Sequence, residues 1–386
     1  MAVKIRWVTW WPVPYWTDRF DALAERPDVE LEVFFLTERS NLLPVSARRN
    51  DWKFSARFLA SGADDSGYYR RIIRLRNPAA LFRGEFDALI MTYADPTCIV
   101  AAAACRALGK PFYFFCANTE DDARSANPAL EWFKKHLIGM ATGVLATGPA
   151  QHQYIRRYAG SRTPVREIGN PVKRLGADGY LDRRDELRSA MGFQSGRPVV
   201  LFVGRLSPEK GLRTLIDAAA LCKGRGLDTK LVFVGRGPDE EPLRILGQRA
   251  GVDVEFHGFL EGDALAERYA AADIFVLPSL SEPWGLVVNE AMEFGLPLLL
   301  SDRVGCRAVL LQEGNNGFTF SAGDATALAS RMESLLTGPE AFEDMGKSSR
   351  RIVESCSIDS WAEAVVRAVS PGNVGGCRDD AARSTD

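Results

Sequence analysis

The segment VVLFVGRLSPEKG, residues 199–211, indicates the fold class of this chain. Its first five residues are all apolar, which is typical of a strand buried on both faces of a parallel sheet. The turn from Gly204 to Gly211 follows this strand directly and therefore lies at a carboxyl strand end. Because ligands of open parallel sheets bind outside these ends, the turn is a candidate binding loop.

The alternation of short apolar strands and helices continues through the second half of the chain. It predicts strands at residues 199–203, 230–234, 254–256, 274–277 and 297–301. It predicts helices between them at residues 212–222, 240–250, 265–271 and 286–294. This order is typical of a doubly wound parallel sheet that is covered by helices on both faces.

The first half has a similar pattern, with strands predicted at residues 3–8, 29–36, 86–91, 111–115 and 143–146 and helices at 97–108 and 129–140. The sequence IGNPV at residues 168–172 interrupts it and is typical of a linker. We therefore predict an α/β protein with two doubly wound, Rossmann-like domains facing a cleft, at residues 1–170 and 171–370. Residues 371–386 are polar and Gly-rich, and we predict a disordered tail there.

Composition narrows the class of protein. The length of 386 residues is typical of two domains, and 46% hydrophobic and 25% charged residues are ordinary for a soluble globular protein. A net charge of −2 gives no reason to expect a nucleic-acid partner. Seven cysteines without a CxxC pair indicate reduced thiols and a cytoplasmic protein. We predict neither a signal peptide nor a bilayer-spanning segment.

The run SEPWGLVVNEA, residues 281–291, carries two carboxylates in the spacing Glu-x7-Glu. Glu282 is predicted in a loop and Glu290 on the following helix, whose first N–H groups are available to an anion. A sugar nucleotide has a ribose on one side of its diphosphate and a transferable sugar on the other. Two carboxylates on either side of a bound diphosphate could accept hydrogen bonds from the hydroxyls of both. Arg205 and Lys210 of the candidate binding loop would neutralise that diphosphate. A lone basic loop usually stays solvated, but the Glu-x7-Glu run in the same domain favours a site.

Several short motifs follow one another in order between about residues 170 and 320. They lie at residues 203–206, 210–211, 234–238, 256–259, 277–279, 281–286 and 290–291. Together they resemble the nucleotide-binding domain of retaining glycosyltransferases with the GT-B fold, of the family four type. A single motif would be weak evidence, whereas the ordered set is specific.

The resemblance implies three candidate catalytic residues. Arg205 and Lys210 would bind the donor diphosphate, and Glu282 would contact the transferred sugar near the reacting carbon. In such enzymes the anomeric configuration is retained. The resemblance also implies no cofactor and no metal, because Arg and Lys take the place of a divalent cation. The histidines at residues 136, 152 and 257 form no metal-ligand pattern.

The resemblance also implies a donor-binding set. Its members are Gly204, Arg205, Lys210, Phe259, Leu260, Glu282, Gly285, Leu286 and Glu290. Gly285 and Leu286 would offer backbone N–H groups to the diphosphate. Glu290 would hold the ribose hydroxyls, while Phe259 and its neighbours would frame the base.

Three loops depart from the family pattern. Residues 10–16, WWPVPYW, carry aromatic residues where many relatives have a Gly pair, which suggests that this loop shapes the acceptor site. Residues 115–120 lack the His of many relatives, so Asn118 and Glu120 are the nearest polar candidates. Residues 302–307, which follow the last predicted strand, contain no Glu.

Tryptophans are concentrated in the first half of the chain. We predict Trp7 and Trp132 in the core. Trp10, Trp11 and Trp16 follow a strand end, and they either line the cleft or pack locally.

Residues 39–83 contain ten basic residues against three acidic ones. Three interpretations stay open: a peripheral membrane contact if the acceptor is a lipid, recognition of an anionic acceptor, or a solvated face. Charge runs are most often solvated faces.

The leading hypothesis for function is a hexosyl- or related sugar transferase. It would move a sugar from a nucleoside-diphosphate sugar to a small molecule, or to a cell-envelope glycan or lipid, held by the first domain. One alternative is a non-catalytic partner subunit, although such subunits usually lose a cation or a carboxylate of the site and here all four are present. Another is an epimerase or phosphorylase with the same fold, which an assay without acceptor would distinguish.

Overall fold

The computed structural model describes residues 2–40, 51–59, 63–64, 78–92, 96–120, 128–159 and 163–370. The chain divides into two compact units. The first comprises residues 1–118, 124–173 and 358–386, and the second comprises residues 119–123 and 174–357. The predicted disordered tail at 371–386 lies outside the described residues.

In the described part of the first unit, seven strands form a parallel sheet. They are Val3–Thr9 (β1), Val29–Phe35 (β2), Ser55–Phe58 (β4), Ala88–Met91 (β6), Phe112–Cys116 (β7), Gly143–Ala146 (β8) and Val165–Glu167 (β9), with the short pair Arg39–Ser40 (β3) and Ala63–Asp64 (β5) beside them. The order in the sheet is β4-β2-β1-β6-β7-β8-β9. The helices are Pro14–Ala24 (α1), Pro96–Ala107 (α2), Pro128–Met140 (α3) and Pro149–Arg156 (α4). Each begins with proline, whose missing N–H costs nothing in a first turn.

Residues 174–357, which are described throughout, form a six-stranded parallel sheet. Its strands are Val199–Val203 (β10), Lys230–Val234 (β11), Asp253–Phe256 (β12), Ile274–Leu277 (β13), Leu298–Ser301 (β14) and Gly317–Phe320 (β15), in the order β12-β11-β10-β13-β14-β15. Its helices are Asp178–Leu181 (α5), Arg184–Ala190 (α6), Leu212–Gly224 (α7), Glu240–Ala250 (α8), Asp263–Ala271 (α9), Leu286–Glu293 (α10), Arg307–Leu310 (α11), Ala325–Leu336 (α12) and Pro339–Glu354 (α13). The predicted α/β class with two parallel sheets is confirmed.

The last helix, Ile358–Val369 (α14), belongs to the first unit, whereas the expected second domain ran through residue 370. Trp361, Val365 and Val369 recur every four residues and form one apolar face, which is buried in the core of the first unit. The Trp361 ring lies 5.7 Å from that of Trp7. The end of the second domain is therefore corrected to residue 357, because the apolar face of α14 is covered by the first sheet's core.

The tryptophans of the first unit occupy three kinds of position. Trp7 is fully buried, as predicted, and Trp16 is also a core residue that stacks on Phe20 with ring centroids 5.3 Å apart. Trp16 and Phe20 share a face of α1 one turn apart, so local packing, not cleft lining, is the correct interpretation for Trp16. Trp10 and Trp11 are half-buried and meet edge to face. The core prediction for Trp132 was wrong: its side chain is 60% exposed on α3, on the same side as the exposed Lys135.

Several sequence features fall partly outside the described residues. Of the basic run at 39–83, Arg48, Arg49, Arg70, Arg71, Arg74 and Arg76 lie outside them. Within the described ranges, the cysteines at 98, 105, 116, 222 and 306 are buried thiols, and burial raises the pKa of Cys105 to about 11. None of the helices in these ranges has the length and apolar character that crossing a membrane requires.

Candidate functional site

The candidate site lies where the strand order of the second sheet reverses. The chain runs outward from β10 through β11 to β12, then returns to place β13 on the other side of β10. In β10 and β13, Val200 pairs with Ile274 and Leu201 with Phe275. Ligands of such folds bind beyond the carboxyl strand ends at this kind of switch point. Both candidate motifs, 204–211 and 281–291, begin at this point.

The loop after β10 is packed against the loop after β11 through backbone atoms. Gly204 N–H donates to Val234 O at 2.9 Å, and Leu206 N–H donates to Arg236 O at 3.0 Å. A Cβ on Gly235 would lie 1.8 Å from the carbonyl oxygen of Gly204, so only glycine fits there. The glycines at 235 and 237 thus serve packing between adjacent strand ends.

The loop after β10 is also tied to the loop after β13. A Cβ on Gly211, whose φ is +63°, would lie 2.3 Å from the carbonyl oxygen of Pro278. The N–H of Leu280 donates to Glu209 O at 2.8 Å. These contacts place the side chains of Lys210 and Glu282 together, although the two residues are distant in sequence.

Lys210 and Glu282 form an ion pair between Nζ and Oε2. The side chains are 17% and 11% exposed, so the pair is largely withdrawn from water and interacts more strongly than a surface pair would. Arg205, in the same loop as Lys210, is exposed to solvent. The loop therefore offers one exposed guanidinium and one ion-paired ammonium at the switch point, a combination suited to a phosphate group.

Helix α10 begins directly after the Glu282 loop. Gly285 precedes its first residue with a left-handed φ of +96°, and a Cβ there would lie 2.9 Å from Cδ2 of Leu277. Gly305 N–H donates to Glu282 O at 2.9 Å, and Cys306 N–H donates to Trp284 O at 3.1 Å. The segment after β14, which lacks the family's Glu, thus fixes the Glu282 loop through its backbone. The N–H group of Val288 donates to Gly285 O at 2.9 Å, so the N–H groups of Leu286 and Val287 are the ones that the helix start offers to an anion.

Glu290 lies about one turn into α10, and its carboxylate accepts a hydrogen bond from Tyr269 of α9. The Tyr269 hydroxyl donates to Glu290 Oε2 at 2.7 Å, and its ring stacks on Phe294 with centroids 5.4 Å apart. Burial raises the pKa of Glu290 to about 7; the Tyr269 hydrogen bond opposes this rise and nearby Glu293 adds to it. The charge of Glu290 therefore changes close to neutral pH.

Sequence reasoning missed both Tyr269 and Glu293. Glu293, at the end of α10, is buried and accepts hydrogen bonds from the N–H groups of Leu175, Gly176 and Ala177 at 2.8, 2.7 and 3.2 Å. It thereby anchors the start of the second unit to the helix that carries Glu290. A phenol and a carboxylate on the apolar faces of predicted helices were the signals that could have identified the two residues.

Phe259 and Leu260 follow β12, two strands from β10. Phe259 is 45% exposed and Leu260 is half-buried. Gly258, with φ +67°, accepts a hydrogen bond from Gly235 N–H at 2.6 Å, which fixes this loop beside the glycine-rich turn after β11. Strands are about 4.8 Å apart, so the two-strand separation places Phe259 about 10 Å from β10 along the sheet edge. The structure thus brings Lys210 and Glu282 into contact and leaves Phe259 at the outer side of the crevice.

Comparison with curated proteins identifies related sugar transferases. Alpha-D-kanosaminyltransferase of Streptomyces kanamyceticus is 31% identical over 233 residues, which is 58% of this chain and 59% of the relative. Sulfoquinovosyl transferase SQD2 of Arabidopsis thaliana is 37% identical over 160 residues, 41% of this chain and 30% of the relative. The chain thus spans less than two thirds of the length of these relatives.

A solved structure shares the fold over nearly the whole chain. Anabaena Alr3699/HepE, in complex with UDP and glucose, matches with a TM-score of 0.75 and 19% identity, covering 96% of this chain and 100% of its own. Residues 183–352 match the family described as "Glycosyl transferases group 1". This segment contains β10 to β15 and both candidate motifs. Residues 183–352 therefore belong to the glycosyl transferases group 1 family, and the chain has the GT-B fold.

Proposed function

We propose that this chain transfers a sugar from a nucleoside-diphosphate sugar to an acceptor, with retention of the anomeric configuration. The observation that carries the proposal is the contact between Lys210 and Glu282 at the switch point of the second sheet, beside the start of α10. Cations and helix N–H groups stabilise the charge that develops on a departing diphosphate. A carboxylate next to them is placed to bind hydroxyls of the transferred sugar.

The residues around the proposed diphosphate position have the following roles. Arg205 and Lys210 bind the diphosphate, together with the backbone at Gly204, Gly285 and Leu286. Lys210 exchanges its contact with Glu282 for phosphate oxygens when the donor binds, which leaves the carboxylate to the sugar. The two cations do the work that a divalent metal does in other enzymes, so we propose that none is required.

The remaining donor contacts concern the nucleoside. Glu290 accepts hydrogen bonds from the ribose hydroxyls, and Phe259 with Leu260 frames the base. The nucleotide and glucose bound to the structural neighbour, and the sugars named in the two relatives, support a sugar-nucleotide donor. We propose that the first unit holds the acceptor, a small molecule or a glycan or lipid. A peripheral membrane contact fits the lipid case.

The first test is calorimetric binding of UDP, GDP, ADP and dTDP to the full chain. We expect one nucleotide to bind most tightly, and Lys210→Ala to weaken it. Lys223→Ala is the matched control, because Lys223 lies in the same unit and its ammonium contacts Gly251 O at 2.6 Å and Asp228 Oδ1 at 3.8 Å, outside the proposed site. The preferred nucleotide names the base, and with a donor found among the sugar nucleotides of that base, Arg205→Ala or Lys210→Ala should lower turnover by about 100-fold or more. Absence of binding at millimolar nucleotide would contradict the proposal and favour a partner subunit without catalytic activity.

A further inference from the structure

The loop after β11 carries an arginine whose side chain lies against the loop after β12. Arg236 is the second residue after β11 and is exposed to solvent. A Cβ on Gly258 would lie 3.3 Å from Nε and 3.7 Å from Nη2 of Arg236, so the guanidinium lies beside the bare backbone of this glycine. The next residue along the chain is Phe259, which is 45% exposed. The guanidinium and Phe259 are therefore neighbours at the carboxyl strand ends of the second sheet.

The backbone that carries the Arg236 side chain is fixed on two sides. The N–H of Leu206 donates to Arg236 O at 3.0 Å, and the N–H of Gly235 donates to Gly258 O at 2.6 Å. A Cβ on Gly237 would lie 2.0 Å from the carbonyl oxygen of Leu206, so the loops after β10 and β11 are in direct backbone contact. The start of the side chain is thus held between the loops that follow β10 and β12.

The Arg236 guanidinium is available to a ligand. Among the residues that the structure describes, it takes part in no ion pair and no side-chain hydrogen bond. His257, which directly follows β12, is different, since its Nε2 lies 2.7 Å from Oε1 of Glu255 and its side chain is 16% exposed. The polar group that this part of the sheet edge offers to a ligand is therefore the guanidinium and not the imidazole.

A guanidinium beside a base can distinguish one base from another. Phe259 and Leu260 can pack on any base, because their side chains carry no hydrogen-bonding group. Arginine has five N–H donors and no acceptor, so it binds carbonyl oxygens such as O4 of thymine and uracil or O6 of guanine. Adenine has no carbonyl oxygen, and its exocyclic amino group is itself a donor that the guanidinium cannot bind.

We propose that Arg236 is the residue that selects the base of the donor, and that it favours uracil, thymine or guanine over adenine. The inference rests on the proposed function and narrows the class of donor. The order of the strands supports it, because β11 lies between β10, which precedes Lys210, and β12, which precedes Phe259. Arg236 thus lies between the proposed position of the diphosphate and that of the base, where it determines specificity and takes no part in the transfer step.

Calorimetric titration of UDP, dTDP, GDP and ADP into the full chain tests this inference. We expect at least one of the first three to bind about tenfold or more tightly than ADP, which is the effect of one charged hydrogen bond. Arg236→Ala should raise the Kd of that nucleotide about tenfold or more and that of ADP less than about threefold. Arg236→Gln, which supplies an acceptor as well as a donor, should bind ADP better relative to the other three.

The matched control is Arg249→Ala. Arg249 is an exposed arginine in the last turn of α8, and this helix returns from the end of β11 to the start of β12, the opposite edge of the sheet. Its removal deletes one positive charge of the second unit, and the preference among the four nucleotides should stay as in wild type. Circular dichroism checks that each variant is folded, and Arg236→Gln decides the matter if Arg236→Ala is not.

Three results would overturn the inference: ADP binding as tightly as the other nucleotides in wild type, an equal loss for all four in Arg236→Ala, or an unchanged preference in that variant. An equal loss would assign Arg236 to the phosphates or to stacking. In each case a loss of binding in Lys210→Ala would still support the proposed function. If wild type binds none of the four nucleotides, the proposed function itself is contradicted.

Discussion

Tyr269→Phe tests whether the hydrogen bond from α9 sets the charge of Glu290. The variant keeps the ring stacked on Phe294 and removes only the hydroxyl that donates to Glu290 Oε2 at 2.7 Å. A hydrogen bond to a charged group is worth about 1.5–3 kcal/mol, which corresponds to about one to two pKa units. Since this bond opposes the rise caused by burial, its loss should raise the pKa of Glu290 further above about 7.

The measurable consequence is a pH-dependent loss of nucleotide affinity. The ionised carboxylate accepts hydrogen bonds from both ribose hydroxyls, whereas the protonated form loses an acceptor. We expect the Kd of Tyr269→Phe to exceed that of wild type by about 5- to 50-fold at pH 7, and the difference to shrink to about twofold or less at pH 9 as Glu290 ionises.

Calorimetric titration of the preferred nucleotide into wild type and Tyr269→Phe, at several pH values from 6 to 9, measures the Kd of each protein. Tyr180→Phe is the matched control, since the Tyr180 hydroxyl also donates to a carboxylate, that of Asp263 at 2.7 Å, outside the proposed site. Equal Kd values for wild type and Tyr269→Phe at every pH would refute the reasoning. A loss of affinity that is the same at pH 6 and pH 9 would show that Tyr269 acts through packing and not through the charge of Glu290.

Three further predictions concern stability and are checked by denaturant unfolding. Glu293→Ala should lower the free energy of unfolding by about 3 kcal/mol or more, because three backbone N–H groups lose a buried, charged acceptor; Glu241→Ala, on the exposed start of α8, is the control, and an equal effect of both would contradict it. Trp361→Ala should lower the free energy of unfolding by about 3–5 kcal/mol, because it leaves a cavity in the core of the first unit. A decrease of less than about 1 kcal/mol would show that α14 is peripheral to that core. In wild type, the raised pKa of Glu290 should add about 3 kcal/mol to the free energy of unfolding below pH 4.5. This contribution should be lost as pH rises through about 7, whereas Glu290→Gln should lack this dependence of stability on pH.

The fold could be predicted from the sequence because the strands of parallel sheets are continuous apolar runs. Residues 199–203 and 274–277 are completely buried strands, and the sequence shows them as uninterrupted aliphatic and aromatic segments. The alternation of these strands with helices predicts the α/β fold class. The placement of residues 358–369 was not predictable in the same way, since an amphipathic helix does not reveal which of two cores will bury its apolar face.

The candidate site was partly predictable for a similar reason. Lys210 and Glu282 follow strand ends, and strand ends of one sheet meet at one edge, so their contact could be anticipated. Tyr269 and Glu293 act through contacts that depend on how α9 and α10 pack, which no local spacing encodes. Trp132 was misplaced because its size favours burial on average, whereas its position on α3 faces solvent.

The return of α14 to the first unit has a consequence for synthesis of the protein. The aromatic cluster around Trp7 and Trp16 is completed by Trp361, which leaves the ribosome only after residues 174–357 have emerged. During translation the first unit therefore keeps an open apolar surface until the whole second unit has been synthesised. A chain that is shortened before residue 358 would carry that surface permanently and should be recognised by chaperones or degraded.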